Sequence, residues 1–145
     1  MDGNCALCPE TTRLVTSIPG MYTAFFSVLS PGKHIPLHRG PYKGVLRCHL
    51  GLIVPEPREQ CWIEVGGQVA RWEEGKCLMF DDTYKHRVQN DTAGTRVVLF
   101  LDIERPMRFP GSGLNRVVLQ LIRLSPFIRD AVRNQKAWER RLGEN

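Results

Sequence analysis

The side chains best equipped for chemistry are two histidines, His38 and His86, and three further groups set into apolar surroundings, Arg47, His49 and Arg96. Neutral imidazole ligates iron, zinc and copper, so His38 and His86 form a metal site if the fold brings them together. Taken alone they fit two ordinary histidines as well, since the chain holds four, His34, His38, His49 and His86. Arg96 heads the run RVVLFLDI, where a guanidinium is costly to desolvate without an anionic partner. Asp102 and Glu104 are the partners at hand within the chain; the alternative is a carboxylate ligand, which a guanidinium grips bidentately. From Val45 onward Arg47, His49 and Gly51 share one side of an extended segment, and Leu46, Cys48, Leu50 and Leu52 share the other. One face is plainly hydrophobic, and the other presents a guanidinium beside an imidazole, a place for an anion.

The elements that must position these groups are short strands. Residues 22–29, a brief extended piece from His34, the long segment 45–54, residues 61–65, 68–72, 76–80, 84–89 and 96–103 all have strand character. Gly40-Pro41, Gly66-Gly67 and Glu73-Glu74-Gly75 punctuate them, with Gly66-Gly67 marking a hairpin. In 84–89 the alternation places Tyr84, His86 and Val88 inward. Residues 1–20 read as irregular and close on Ile18-Pro19-Gly20. Many short strands and no helix until late argue for a β-sandwich or barrel. Beyond Pro106, Leu114, Val117, Val118, Leu121 and Ile122 follow a helical spacing, and Ser125-Pro126 opens a second helix to about Arg141. The expected organisation is a β-domain over 1–112 and a basic amphipathic helical tail over 113–145, part of the same unit.

At 145 residues and 42% hydrophobic the chain has material for one cored domain and too little for two. It has no apolar run long enough to cross a membrane as a helix, and MDGNCALCPETTR lacks the layout of a secretory signal. Five cysteines, an odd count, favour free thiols and a cytoplasmic location, at most peripheral at the inner face of the membrane. Cys5 and Cys8 form a single CxxC with no second pair to complete a zinc site, so a frayed N-terminal segment is expected there. The net charge is +5, of which Leu114–Asn145 carries +4. Such a tail suits a solvated helix face or an anionic membrane surface; no nucleic-acid partner is expected.

Three blocks, HRGPYKGVLRCHLGLIVP, WEEGKCLMFDDTYKHRVQND and RVVLFLDIERP, resemble in order and spacing the aspartyl/asparaginyl β-hydroxylase family over roughly residues 22–107. The resemblance implies a double-stranded β-helix of jelly-roll, cupin-like form. It also implies an Fe(II)- and 2-oxoglutarate-dependent dioxygenase that consumes O2, releases succinate and CO2, and hydroxylates an unactivated C–H. On that resemblance His38 and His86 bind the iron, and Arg96 holds the distal carboxylate of 2-oxoglutarate. Arg47 and His49 contact the other end of the cosubstrate or its neighbourhood, and Ser27 also reaches it. Gly40 stands where a two-histidine, one-carboxylate triad has its acid; the family shares this lack, and Asp81 and Asp82 are expected beside the metal or in structural roles rather than on it.

LCPETTRLV, LFLDIERPMR and the tail from Leu114 look more like the lipid A acyl-chain hydroxylases of the same superfamily. Against that stand the HxG and the lack of a hydrophobic anchor. The substrates implied are therefore an Asp or Asn residue, a free amino acid or an acyl chain. Two non-enzymatic alternatives are a carboxylate-binding β-barrel and a membrane-surface adaptor.

Overall fold

A computed structural model describes residues 3–124. The chain divides into two units between Arg105 and Pro106. The first opens with helices α1 (Gly3–Leu7) and α2 (Pro9–Thr16). Eight strands follow: β1 (Met21–Leu29), β2 (His34–His38), β3 (Val45–Ile53), β4 (Cys61–Val65), β5 (Gln68–Arg71), β6 (Cys77–Phe80), β7 (His86–Asn90) and β8 (Arg96–Glu104). They form two antiparallel four-stranded sheets, ordered β1-β8-β3-β6 and β2-β7-β4-β5. This is the expected double-stranded β-helix, mainly β and cupin-like. Gly66 and Gly67 both take positive φ (57° and 85°) at the β4–β5 hairpin, the conformation a tight primed turn demands.

Register fixes the site. In the second sheet His38 pairs directly with His86, at the end of the β2–β7 ladder. In the first, β8 lies between β1 and β3, so Arg47 faces Asp102, His49 faces Phe100 and Leu29 faces Arg96. Between the sheets Leu29, Cys61, Ile63, Trp72, Val88 and Val98 form a buried core. The loop leading into β8 is tied down by Asn90, fully buried, whose side-chain amide reaches the carbonyls of Leu29, Ser30 and Gly94 while its Oδ1 accepts from Thr92.

The N-terminal segment departs from expectation. Residues 3–7 and 9–16 are helical rather than irregular or frayed. Pro9 begins α2 with its φ preset, Glu10 sits in the first turn where the helix dipole favours an acid, and Thr12 and Thr16 turn their hydroxyls onto preceding carbonyls. Val15 and Ile18 pack against a second cluster of Cys48, Leu99 and Leu101. The hydrophobic side of β3 is thus covered by the N-terminal segment. Tyr84 also differs: the Asp81–Tyr84 turn delays β7 until His86, so Tyr84 stays outside the strand and is exposed.

In the second unit, α3 (Gly111–Leu124) matches the expected first helix. It exposes Leu114, Val117, Leu121 and Leu124 along one stripe, while Asn115 and Leu119 on the opposite side are buried. The helix expected after Ser125 lies outside the described residues.

Candidate active site

Ser27, His38, Arg47, His49, His86 and Arg96 all line one cavity between the sheets, with Ile35, Ile63, Phe80, Val88 and Phe100 completing its wall. The period-two alternation of β1, β3, β7 and β8 delivers these side chains to the interior.

The two histidines meet with ring centroids 4.1 Å apart and ring planes tilted by 56°. His38 is exposed at the cavity's outer end, and His86 is buried. Each anchors its Nδ1 on a carbonyl two residues earlier, His38 on Pro36 O at 2.8 Å and His86 on Tyr84 O at 2.9 Å. A neutral imidazole that donates from Nδ1 keeps its Nε2 lone pair, the form that ligates a metal. Burial, and the nearby charges of His38 and Arg47, push the His86 pKa down and favour that neutral form. Among the described residues no three metal-ligating side chains cluster. The donor set is the histidine pair, and its chemistry fits a divalent transition metal with room for exogenous ligands.

Gly40 explains the missing acid. A Cβ built there would lie 2.1 Å from Asp82 Oδ2, and the Gly40 N–H donates to Asp82 O at 2.7 Å. The Asp82 carboxylate occupies the space a side chain at position 40 would need. It pairs with Arg47 (Nη1–Oδ2, 2.8 Å), and burial outweighs that pairing to push its pKa up. Asp81 instead accepts from Thr83 and Arg105, a turn-building role. Burial alone would raise the Asp81 pKa, but the Thr83 and Arg105 hydrogen bonds outweigh it and hold the pKa down.

Arg47 is fully engaged. Besides Asp82 it binds Asp102 through Nε (3.0 Å) and Nη2 (3.3 Å), and its guanidinium lies 4.3 Å from the Phe100 ring centroid. Arg96 is the opposite case. It is 1% exposed, its Nη2 donates weakly to Ser27 Oγ (3.4 Å), and its Nε has no partner. Asp102, one of the two carboxylates weighed for it from sequence, binds Arg47 instead. His49 is equally deep. Burial first, then the charges of Arg96 and Arg47, drop its pKa to about 3. Its Nδ1 accepts from Trp72 Nε1 at 3.4 Å, and its Nε2 is a second buried nitrogen without a partner. Two buried nitrogens without a partner in one cavity are rare in folded proteins. Sequence reasoning missed Trp72, Asp82 as the partner of Arg47, and the aromatic walls Phe80 and Phe100; only the alternation of β8, which puts Asp102 and Phe100 on the Arg96 face, carried a signal.

The cavity between the two sheets thus gathers a histidine pair and a buried arginine whose Nε has no partner. The chain belongs to the aspartyl/asparaginyl β-hydroxylase family, whose sequence profile matches residues 1–106. The match takes in the N-terminal helices, beyond the blocks that carried the resemblance. The ornithine lipid ester-linked acyl 2-hydroxylase of Rhizobium tropici is 50% identical over 96% of this chain and 50% of its own length. Human aspartate beta-hydroxylase domain-containing protein 2 is 40% identical over 71% of this chain and 30% of its own. Human aspartyl/asparaginyl beta-hydroxylase is 39% identical over 73% of this chain and 14% of its own. The chain thus spans half or less of the length of these relatives.

Proposed function

We propose that this hydroxylase-family domain is an Fe(II)/2-oxoglutarate-dependent dioxygenase acting on the acyl chain of a lipid. The observation that carries the cosubstrate is Arg96, a cation 1% exposed with an unsatisfied Nε, in the cavity that also holds the histidine pair. A dicarboxylate reaching from His38 and His86 toward Arg96 supplies the acceptors that Arg96 Nε and His49 Nε2 lack. Bound Fe(II), with 2-oxoglutarate and O2, supplies decarboxylation to succinate and CO2 and insertion of one oxygen atom into a C–H bond. The protein's own residues bind and orient: His38 and His86 hold the metal through Nε2, and Arg96 with Ser27 anchors the distal carboxylate. Phe80, Phe100, Ile63 and Val88 keep water from the reacting groups.

The substrate reading rests on two features. The Rhizobium tropici relative, 50% identical over 96% of this chain, is named for an acyl chain. An exposed aromatic also continues the cavity wall: Phe25, 45% exposed, stacks on the lining Phe100 at 4.2 Å. Arg47, which lines the cavity, is already met by Asp82 and Asp102.

Residues 106–145 hold the whole net charge of +5, and residues 1–105 sum to zero. With the open apolar stripe on α3, this segment is read as a peripheral contact with an anionic membrane surface. Succinate formation is the test, measured with Fe(II) and ascorbate on ester-linked aminolipid and on Asp- or Asn-containing peptide in parallel. Stimulation by the lipid alone supports the reading, stimulation by the peptide alone replaces the substrate, and no succinate with either removes the dioxygenase.

A further inference from the structure

The cavity leaves two buried nitrogens unsatisfied, His49 Nε2 and Arg96 Nε, and one residue outside its wall touches both groups. Trp72 follows β5 in the second sheet, is 1% exposed, and faces β3 and β8 of the first. Its indole N–H donates to His49 Nδ1 (3.4 Å), with the two rings near parallel at 22°. Its ring face lies under the Arg96 guanidinium, 4.8 Å from centroid to Cζ.

An imidazole nitrogen that accepts a hydrogen bond carries no proton, so a neutral His49 bonded in this way carries its proton on Nε2. Without the indole N–H, the ring is free to adopt the other tautomer, which would turn a lone pair toward an incoming carboxylate. The guanidinium has a related need. With no carboxylate in contact, the indole face is what fixes its plane through cation–π attraction, and bidentate capture depends on that plane.

We propose that Trp72 is a positioning residue of the carboxylate-anchoring end of the cavity: it holds the His49 proton on Nε2 and the Arg96 guanidinium flat, so that both donors are presented together to one anionic ligand. The inference rests on the carboxylate reading of Arg96 given above.

The test begins with wild-type protein carrying 15N-labelled histidine, without metal. An Nε2-protonated His49 is expected, and an Nδ1-protonated one overturns the proposal. This readout needs no variant and no ligand. Titration of wild-type protein with 2-oxoglutarate plus Mn(II) comes next; absence of binding there overturns the carboxylate reading and leaves the Trp72–His49 link to stand on the tautomer alone. Trp72→Phe then removes the N–H and keeps an aromatic face. Mixed His49 tautomers and a roughly tenfold rise in the KM for 2-oxoglutarate are expected, with kcat within about twofold. Trp72→Leu, which also removes the face, should raise KM further. A Trp72→Phe protein with lowered Tm but wild-type tautomer and KM would reduce Trp72 to core filling and overturn the proposal.

Discussion

Arg47 and Arg96 enter the same cavity from neighbouring strands, β3 and β8, and their surroundings differ in almost every respect. Arg47 is clamped by two carboxylates and rests on Phe100. Arg96 is deeper, has a hydroxyl at 3.4 Å and an indole face for company, and keeps an empty donor. A compensated buried arginine is architecture, whereas an uncompensated one costs stability that only a ligand repays. The difference separates the groups that build the cavity from the group that waits for something to enter it.

The largest effect lies at what both arginines serve. His86→Ala should bring succinate formation down to the uncatalysed background while the protein stays folded; retained turnover would remove the histidine pair from the metal. The comparison itself is broken or upheld by the matched exchanges Arg47→Met and Arg96→Met in urea denaturation. Arg47→Met leaves Asp82 and Asp102 buried together without a cation and should cost about 3–5 kcal/mol. Arg96→Met should leave stability unchanged or raise it by about 1–4 kcal/mol, while 2-oxoglutarate affinity with Mn(II) falls by about thirtyfold or more. Equal destabilisation by the two would erase the distinction.

A smaller effect concerns pH. The folded-state pKa of His49 is depressed to about 3, so the unfolded chain binds the extra proton first as pH falls. The contribution of a neutral His49 is fully present above the ordinary histidine pKa near 6.5 and is lost progressively below it, by about 1.4 kcal/mol per pH unit toward pH 3. His49→Gln should flatten that limb of the stability–pH curve, and an unchanged slope would place the acid sensitivity elsewhere. The smallest effect is expected in the second unit. Leu121→Gln on the exposed stripe of α3 should weaken sedimentation with anionic vesicles about tenfold, roughly 1.4 kcal/mol, with soluble succinate formation untouched.

Strands and turns were legible in the sequence because their signals are local. Period-two alternation assigns Arg47, His49 and His86 to the interior, and Gly66-Gly67 marks the hairpin. Arg96 could be flagged for the same reason, a cation heading an apolar run. The N-terminal helices were not legible. A stretch such as PETTRLVT has modest helix propensity, and its cover comes from Cys48, Leu99 and Leu101, distant in sequence. The clamp on Arg47 was hidden likewise, since Asp102 and Asp82 reach it only through strand register and a turn. Trp72 gave no sign beyond being a core aromatic; its role depends on two strands of the opposite sheet.

The close packing of Gly40 against the Asp82 carboxylate dictates an order for sequence change. An aspartate at position 40, the third ligand of a facial triad, cannot be added by one substitution, because its Cβ would fall 2.1 Å from an oxygen that Arg47 holds in place. Position 82 must shrink first, and that intermediate loses a partner of Arg47 before any new ligand is gained. The reverse route has the same bottleneck. Two-ligand and three-ligand forms of the proposed metal site are therefore separated by a destabilised step, and a laboratory conversion should introduce Gly40→Asp and Asp82→Ala together.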